Sequence, residues 1–271
     1  MPKSDIIIIG GAAVGLSCAY YLNQAGYEVT VFDGNGPDKK SSCSWGNSGM
    51  IVPSHIVPLA APGVIKKGLK WLFDPESPFS IEFKPSIEML VWLWKFRKAA
   101  NPEHVKSGAN MFRKLSLSSR DLYLELSKKM SFGLETKGIL MLCNSDDALT
   151  EEYKISAMAR KIGMEAVDLD PIGIRLIETG MELTVLGGVH YPLDCNINPV
   201  KYLEVLHDFL IDHGVKIFHN TTVSGLTVGN GNVESIKVSG QSWSGDHFIL
   251  AAGSLSSKLI QQIGIKMPLM A

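Results

Sequence analysis

The chain begins with a strand, a glycine-rich turn, a helix and a second strand that follow one another directly. Residues 6–9 are four consecutive isoleucines, which is typical of a parallel strand buried on both faces. Residues 10–15 form the turn, and apolar residues then recur at helical spacing: Leu16, Ala19, Tyr20 and Leu22. Gly26 ends the predicted helix, because glycine readily adopts the left-handed conformation that closes a helix. Residues 29–32 form the second strand, and the whole pattern predicts a βαβ unit.

Asp33 stands at the end of the second strand, about 20 residues after the turn, which is the arrangement that binds a dinucleotide. Gly10 permits the tight turn out of the strand, and Gly15 lets the helix pack close to the sheet. The free N–H groups at the helix start face a pyrophosphate, and the Asp33 carboxylate accepts hydrogen bonds from both ribose hydroxyls. An acid at this position, rather than an arginine, favours FAD or NAD over NADP.

Ala12 occupies the position of the middle glycine in the G-x-G-x-x-G pattern. Its methyl group crowds the closest approach of the backbone to a phosphate, and we expect the turn to tolerate it with a slight shift. An ordinary αβ turn, in which the glycines serve geometry alone, is the alternative interpretation. The complete order of strand, turn, helix, strand and acid favours the dinucleotide site.

At 271 residues the chain is long enough to form one or two domains with a large core. Its 26 Lys and Arg residues balance 27 Asp and Glu residues, so no basic field is available to hold nucleic acid. The scattered cysteines contain no C-x-x-C pair, which predicts reduced thiols in a cytoplasmic protein with neither a metal site nor a disulfide: Cys18, Cys43, Cys143 and Cys195. The apolar N-terminus lacks the leader and cleavage site of a signal peptide, and no apolar run is long enough to span a membrane.

Two further segments are more specific than the glycine turn. Residues 44–49 read Ser-Trp-Gly-Asn-Ser-Gly, and residues 58–63 read Pro-Leu-Ala-Ala-Pro-Gly. Together with residues 20–31, the run at 70–73 and the Trp-rich segment around residue 93, they resemble the bacterial D-amino-acid dehydrogenase family. That family belongs to the wider group of FAD-dependent amine and amino-acid oxidases, which includes glycine oxidase and sarcosine oxidase. The resemblance covers nearly the whole chain.

The resemblance implies an α/β fold, with a Rossmann-like FAD-binding domain and an inserted α+β substrate domain. We expect the FAD-binding domain to be discontinuous, at residues 1–52 and 194–271, and the substrate-side domain to span residues 53–193. The residues expected to bind FAD come from the turn, the acid and the loops that the resemblance matches: Ile9, Gly10, Gly11, Ala12, Ala13, Val14, Gly15, Asp33, Gly34, Cys43, Ser44, Asn47, Ser48, Gly49, Met50, Val223, Ala252 and Gly253.

The implied reaction removes a hydride from the α-carbon of a D-amino acid, or of glycine, sarcosine or an imino acid such as D-hydroxyproline, to the flavin N5. The product is an imine, which water hydrolyses to a 2-oxo acid and ammonia. The substrate amine must be neutral, since an ammonium group has no lone pair to expel the hydride. A strong protein base is not obligatory, so no catalytic residue is assigned. The expected electron acceptor is a quinone or oxygen.

Enzymes of the resembled family continue beyond the point that corresponds to Ala271, and their C-terminal part completes the substrate domain. We therefore expect this chain to lack that part and to be poorly stable in isolation, because uncovered strands expose apolar surface. The alternative function is a non-catalytic FAD-binding fragment of such an enzyme. An NAD-dependent dehydrogenase is disfavoured, because the Ala-Ala-Gly-Ser segment at residues 251–254 resembles flavoproteins.

Hydrophobic periodicity predicts the elements of the remaining chain. Helices are predicted at residues 87–99, 108–130, 150–162, 199–213 and 256–263, and one more begins at Pro171. Strands are predicted at residues 138–142, 187–191 and 214–218, in a hairpin of 221–228 and 233–238, and in the segment from Asp246.

Several side chains allow two interpretations. The aromatic stripe of the 87–99 helix (Trp92, Leu93, Trp94 and Phe96) favours core or interface packing, with an interfacial membrane helix as the alternative. That alternative would place a cytoplasmic protein at the inner face of the membrane. The remaining polar candidates and cysteines are also expected to have no catalytic role. His55 is expected at the surface or in an interface, Lys66 and Lys67 in solvent, His190 in core packing, Cys43 and Cys195 as small packing residues, and Asn196 and Asn198 as helix caps.

Overall fold

A computed structural model describes residues 4–38, 40–65, 68 and 87–267. The predictions for Lys66, Lys67 and the run at 70–73 lie outside these residues. The chain divides into two compact units. The first comprises Met1–Gly49, Leu126–Leu134 and Ile197–Ala271, and the second comprises Met50–Glu125 and Glu135–Asn196. The assignment of cofactor and substrate to domains 1–52 plus 194–271 and 53–193 stays a prediction.

The strands within the described residues are β1 Asp5–Ile9, β2 Glu28–Phe32, β3 Met50–Ile51, β4 Ile139–Cys143, β5 Val167–Leu169, β6 Gly187–Tyr191, β7 Cys195–Asn196, β8 Lys216–Phe218, β9 Val223–Gly229, β10 Asn232–Val238, β11 Gln241–Ser244 and β12 His247–Leu250. The helices are α1 Ala13–Gln24, α2 Ile87–Ala99, α3 Pro102–Ser127, α4 Asp146–Lys161, α5 Pro171–Ile177, α6 Pro199–Asp212 and α7 Ser256–Gln261. A short 3-10 helix at Gly253–Leu255 precedes α7.

A parallel sheet in the order β12-β1-β2-β8 forms the centre of the first unit. The isoleucines of β1 lie between two neighbouring strands and are 0–5% exposed, as expected of a strand covered on both faces. Helix α1 packs on this sheet and against α6, and its Leu16 and Ala19 are fully buried. Gly26 ends α1 with a φ of +89°, as the sequence predicts. The predicted βαβ unit is confirmed.

A three-stranded antiparallel sheet in the order β11-β10-β9 packs on the parallel sheet. Ile236 and Val238 of β10 are buried against Ile7, Ile9 and Phe32. The predicted hairpin is confirmed, and its turn uses two left-handed residues that match the twist of paired strands. A second turn of the same kind adds β11, which the sequence reading missed.

The second unit contains an antiparallel sheet in the order β4-β6-β5. Its core is formed by apolar side chains from β6, α3, α4, the segment after β3 and the segment between α4 and β5: Ile56, Ala109, Ala159, Met164, Ala166, Val189 and Tyr191. The two-residue strands β3 and β7 pair with each other at the points where the chain enters and leaves this unit. The predicted strand at 187–191 is confirmed, and β3, β5 and β7 were not predicted.

Two predicted helix starts were wrong because their caps were overlooked. Helix α3 begins at Pro102 instead of 108, since the side-chain oxygen of Asn101 accepts a hydrogen bond from the His104 N–H at 2.9 Å. Helix α4 begins at Asp146 instead of 150, because the Ser145 hydroxyl accepts from the Ala148 N–H at 3.3 Å. The helix start predicted at Pro171 is confirmed, and Asp170 caps this helix by accepting a 2.7 Å hydrogen bond from the Gly173 N–H.

The remaining boundary differences are small, and one cap was assigned wrongly. Asn198 caps α6 as predicted, accepting from the Lys201 N–H at 3.0 Å. Asn196 is not a cap, because it lies in β7, where its backbone exchanges hydrogen bonds with Glu135. The strand predicted at 214–218 begins at Lys216, since Gly214 has a φ of +81° and closes α6. Helices α3, α6 and α7 end at Ser127, Asp212 and Gln261, up to three residues before their predicted ends.

The aromatic stripe of α2 does not pack into a core as a whole. Trp94 is 62% exposed and Leu93 is 38% exposed, so the favoured interpretation was wrong for these side chains. Trp92 is also 37% exposed and stacks on Phe96 of the same helix, with ring centroids 5.1 Å apart, whereas Met89 is buried. No helix within the described residues is both long and apolar enough to cross a membrane.

Candidate cofactor site

The turn between β1 and α1 is shaped by glycines that leave no room for a side chain. Gly10 has a φ of +108°, and its N–H donates to the Phe32 carbonyl at 2.8 Å. A Cβ atom on Gly10 would collide with the Ala251 carbonyl oxygen, and one on Gly15 would collide with the Gly10 carbonyl oxygen. The turn is therefore held tightly between the strands, and α1 starts in direct contact with it, as the sequence predicts.

Gly11 brings the turn against the acid that ends β2. A Cβ atom on Gly11 would lie 2.6 Å from Oδ2 of Asp33, so only glycine fits beside this carboxylate. Asp33 is 2% exposed, and its Oδ1 accepts hydrogen bonds from the Asn35 backbone N–H at 3.1 Å and side-chain amide at 3.2 Å. The sequence reading missed Asn35, although the Asp-Gly-Asn order is a local signal for such a turn.

Helix α1 begins without a side-chain cap. Ala12 occupies the cap position with φ −87° and ψ −169°, and no acidic residue lies in the first turn. These backbone angles are open to any residue, so the alanine methyl group causes no backbone strain here. The Ala13 N–H donates to the Ser44 hydroxyl at 3.3 Å, which brings the second predicted loop to the helix start. Val14 is 66% exposed at the same end, so the positive end of the helix faces solvent.

The second loop carries several of the predicted residues. Oδ1 of Asn47 accepts from the Gly49 N–H at 2.8 Å, and Gly49 has a φ of +74°. The Gly49 carbonyl in turn accepts from the Ile197 N–H at 2.8 Å, which fixes the end of the loop. Cys43 and Ser48 are exposed. Met50 lies in β3, the first strand of the second unit, and is 42% exposed.

The last predicted segment returns to the turn through β12. The Ala251 N–H donates to the Ile9 carbonyl at 2.8 Å, which places Ala251 and Ala252 beside Gly10. Gly253 follows with a φ of +57° and begins the 3-10 helix. The structure thus gathers most of the predicted residues around one turn.

The remaining two predicted residues are Gly34, which directly follows Asp33, and Val223. Val223 begins β9, and its side chain packs with the apolar cluster between the two sheets of the first unit. Gly34 lies close to Thr222, whose hydroxyl would be 3.2 Å from a Cβ atom on that glycine. The sequence reading missed Thr222, which no local pattern distinguishes.

A family profile of FAD-dependent oxidoreductases matches residues 5–271. The chain belongs to this FAD-dependent oxidoreductase family. Its structure is similar to glycine oxidase from Geobacillus kaustophilus, with a TM-score of 0.70 and 16% identity over 98% of this chain and 59% of that one. Glycine oxidase from Bacillus cereus ATCC 14579 gives a TM-score of 0.68 and 19% identity over 96% of this chain and 58% of that one.

The L-proline dehydrogenase from P. horikoshii is also similar, with a TM-score of 0.66 and 16% identity. The match covers 98% of this chain and 57% of that one. This chain therefore spans less than two thirds of the length of each of these structures. The shared fold and the family membership confirm the predicted fold class, and the cofactor of the family is FAD.

The residues around the turn fit FAD. The uncapped start of α1 offers N–H groups and a positive dipole end to a pyrophosphate, and the three glycines give the close backbone approach that such a group needs. Asp33, next to Gly11, supplies the carboxylate for a ribose. The assignment of individual residues to the cofactor stays a prediction.

A separate cavity of about 270 Å³ lies between the loop after β2 and helix α6. Its lining includes three acidic side chains, Asp38, Glu204 and Asp208, beside Trp45 and His207. Three carboxylates repel a pyrophosphate, so the glycine turn suits that group better than this cavity does.

The other polar candidates do not form a second site. His190 Nε2 donates to the Lys137 carbonyl at 3.0 Å and packs against Gly138, which is a structural role. His55 is exposed. Cys195 is buried in β7, whereas Cys43 is exposed and so is not the packing residue that we expected. Among the residues that the structure describes, no group of three or more His, Cys, Asp and Glu side chains could hold a metal.

Proposed function

We propose that this chain binds FAD for the oxidation of an amino acid at its α-carbon. The substrate is a D-amino acid, or glycine, sarcosine or an imino acid, and the product is an imine. Hydrolysis of this imine gives a 2-oxo acid, with release of ammonia from a primary amino acid or of methylamine from sarcosine, whereas the nitrogen of a cyclic imino acid stays attached to the product. The observation that carries the proposal is the uncapped start of α1 beside Gly11 and Asp33. Similar structures named as glycine oxidase and L-proline dehydrogenase support an amino-acid or imino-acid substrate.

The bound cofactor supplies the acceptor for two electrons, and the protein supplies orientation and electrostatics. The N–H groups at the start of α1 would hold the pyrophosphate, and Asp33 would hold the ribose hydroxyls. The Ser44 hydroxyl fixes the second loop to the helix start through its contact with Ala13. Asn47 and Gly49 fix the shape of that loop through the hydrogen bond from the Gly49 N–H to Oδ1 of Asn47, and the loop would help to hold the cofactor.

The electrons then pass to a quinone or to oxygen. A quinone is dissolved in the bilayer, so a chain that uses it must approach a membrane. The alternative function is a chain that binds FAD without oxidising an amino acid. We assign no catalytic residue.

The visible spectrum of the purified protein, followed by anaerobic addition of a panel of D-amino acids, glycine, sarcosine and D-hydroxyproline, tests the proposal. We expect a flavin spectrum that bleaches with one class of substrate. A flavin spectrum that no substrate bleaches supports the alternative function. A protein that neither retains nor takes up FAD contradicts both.

Exchanging Asp33 tests the site itself. Asp33→Asn removes a buried charge next to Gly11 but keeps the size of the side chain, so we expect FAD affinity to fall about tenfold. Asp38→Asn is the matched control, because Asp38 is an exposed acid in the loop that follows β2. Equal FAD affinity of the Asp33→Asn variant and the wild type, measured by fluorescence titration, would rule out Asp33 as the ribose ligand.

A further inference from the structure

Helix α2 carries an exposed apolar stripe at helical spacing. Ile87, Leu90, Val91 and Trp94 recur at intervals of three and four residues, and they are 78%, 64%, 45% and 62% exposed. Residues at this spacing share one face of a helix. We call these four side chains the α2 stripe.

The opposite face of α2 carries one buried side chain. Met89 is 8% exposed, whereas Trp92 is 37% exposed and stacks on Phe96 of the same helix with ring centroids 5.1 Å apart. The α2 stripe is thus the more exposed side of the helix. Single exposed apolar residues are common on protein surfaces, but a continuous helical row that includes a tryptophan is typical of an interaction surface.

Basic side chains surround the C-terminal end of the stripe. Lys95 and Arg97 follow Trp94 by one and three residues, which at about 100° per residue places them on either side of the stripe. Lys98 lies one turn beyond Trp94, and its Nζ is 5.5 Å from the centre of the Trp94 ring. All three basic side chains are exposed. The surface therefore combines an apolar row with positive charge at one end.

We propose that the α2 stripe docks this protein on an anionic lipid bilayer. The apolar row enters the boundary between head groups and acyl chains, Trp94 lies at the head-group level, and the three basic side chains contact lipid phosphates. Charge complementarity favours this occupant, because an apolar protein partner has no need of the cluster of three cations. The helix has 13 residues, so it lies on the bilayer and does not span it.

This inference does not depend on the oxidation chemistry proposed above. It concerns a surface of the second unit alone, and it can be correct whether or not the chain turns over a substrate. An experiment that uses only lipid vesicles and the intact chain separates the two proposals.

The test is co-sedimentation of the whole chain with vesicles of phosphatidylcholine and phosphatidylglycerol, compared with vesicles of phosphatidylcholine alone. We expect binding to the anionic vesicles that weakens as salt is raised. The triple variant Lys95→Gln, Arg97→Gln and Lys98→Gln should bind the anionic vesicles about 100-fold more weakly. The double variant Leu90→Ser and Trp94→Ser should lose at least about tenfold, because both side chains are largely exposed in the free protein and enter the bilayer on binding.

Leu115→Ser is the matched control, since Leu115 of α3 is an apolar side chain that is 63% exposed but lies outside the stripe. It should bind vesicles as the wild type does. Fluorescence of the wild type should also be quenched by brominated lipids, and Trp94→Phe should remove most of that quenching.

Three results would overturn the proposal. One is the absence of binding to anionic vesicles at low salt. Another is binding that the stripe and basic variants leave unchanged. The third is concentration-dependent self-association without lipid that Leu90→Ser and Trp94→Ser abolish, which would make a second copy of this chain the occupant of the stripe.

Discussion

The βαβ unit at the start of the chain and the helices α2 and α3 use apolar residues in opposite ways. The isoleucines of β1 are 0–5% exposed, because strands flank them on both sides and other elements cover both faces. Ile87 of α2 and Met111 of α3 are 78% and 65% exposed. Apolar content therefore shows which segments can be buried, but burial follows only where another element covers them. The turn of the first region has no room for a Cβ atom at Gly10, Gly11 or Gly15, whereas the two helices have apolar surface available for a partner.

Substitution of Gly15 should have the largest effect on stability, because it adds an atom to the tightly packed region. A Cβ atom there collides with the backbone oxygen of Gly10, which no side-chain rotation can relieve. We expect Gly15→Ala to lower the free energy of unfolding by about 3 kcal/mol and to abolish FAD binding, because α1 must move away from the turn. Urea unfolding and FAD titration measure the two effects. Gly46→Ala is the control for the unfolding measurement, since a Cβ atom on Gly46 meets nothing within 4 Å. Equal stability of the two variants would show that the turn is not tightly packed.

The second unit also contains a buried polar contact, between Asp194 and Ser54, which can be compared with the glycine turn. Asp194 is completely buried, and its Oδ1 accepts from the Ser54 N–H at 3.0 Å while its Oδ2 accepts from the Ser54 hydroxyl. Ser54→Ala removes the hydroxyl donor from a buried carboxylate, so we expect a loss of about 2 kcal/mol in the free energy of unfolding. Ser48→Ala, at an exposed position, is the control for removal of a hydroxyl group. A loss below that of the control would mean that water replaces the missing donor.

The contact between Asp194 and Ser54 also predicts that the free energy of unfolding depends on pH. Burial raises the pKa of Asp194 above its ordinary value of 3.8, although the hydrogen bonds from Ser54 oppose this rise. The protonated carboxyl group is thus favoured in the folded state. Its contribution to stability is present below pH 3.8 and is lost as the pH rises through the folded pKa.

Asp194→Asn should therefore gain stability relative to the wild type as the pH rises to neutral. An asparagine can accept from the Ser54 N–H and donate to the Ser54 hydroxyl oxygen, so it keeps both contacts without a buried charge. Urea unfolding of the wild type and of Asp194→Asn between pH 3.8 and neutral pH measures the difference in their free energies of unfolding. A wild type that becomes the more stable of the two towards neutral pH would contradict the prediction.

The sequence predicts the βαβ unit and its site because their signals are local. Glycines, an apolar run and an acid within 29 residues define the turn, and the structure places Gly11 beside Asp33 as that order implies. The contact from Ala13 to Ser44 spans 31 residues, and that from Ser54 to Asp194 spans 140. Hydrophobic periodicity carries no information about contacts between residues so far apart in the chain, so the sequence could not indicate these two contacts.

The error in α2 has a different cause. The predicted stripe includes both Trp92 and Trp94, because they are close in sequence. Side chains that are two positions apart in an α-helix, however, point about 200° away from each other. The structure accordingly leaves Trp94 62% exposed, whereas Trp92 is 37% exposed and stacks on Phe96. The spacing of three and four residues from Ile87 to Trp94 was present in the sequence, and it would have identified the exposed face as one surface.

The two asparagines before α6 test how much one cap contributes to the first unit. Asn198→Ala removes the acceptor of the Lys201 N–H, so we expect the free energy of unfolding to fall by about 1 kcal/mol. Asn196→Ala is the matched control, because that exposed asparagine lies in β7 and pairs through its backbone. Thermal or urea unfolding measures both variants. If the two changes cost the same, the cap does not stabilise α6.

The smallest expected effect concerns the ion pair between Arg160 of α4 and Asp168 of β5. Their atoms lie 2.9 Å apart, but the side chains are 41% and 34% exposed, so solvent screening leaves about 0.5 kcal/mol for Arg160→Gln at neutral pH. Hydrogen bonds from Arg160 lower the pKa of Asp168 below 3.8, with a further contribution from Ser156. The stabilisation is therefore present above pH 3.8 and lost as the pH falls through the folded pKa, which is the reverse of Asp194.

Urea unfolding near neutral pH and at about pH 3 should show that Arg160→Gln costs less stability in acid. Arg175→Gln, which removes a cation from α5, should show no such change. A cost that stays constant with pH would assign the effect to packing of the arginine stem and not to the charge of Asp168.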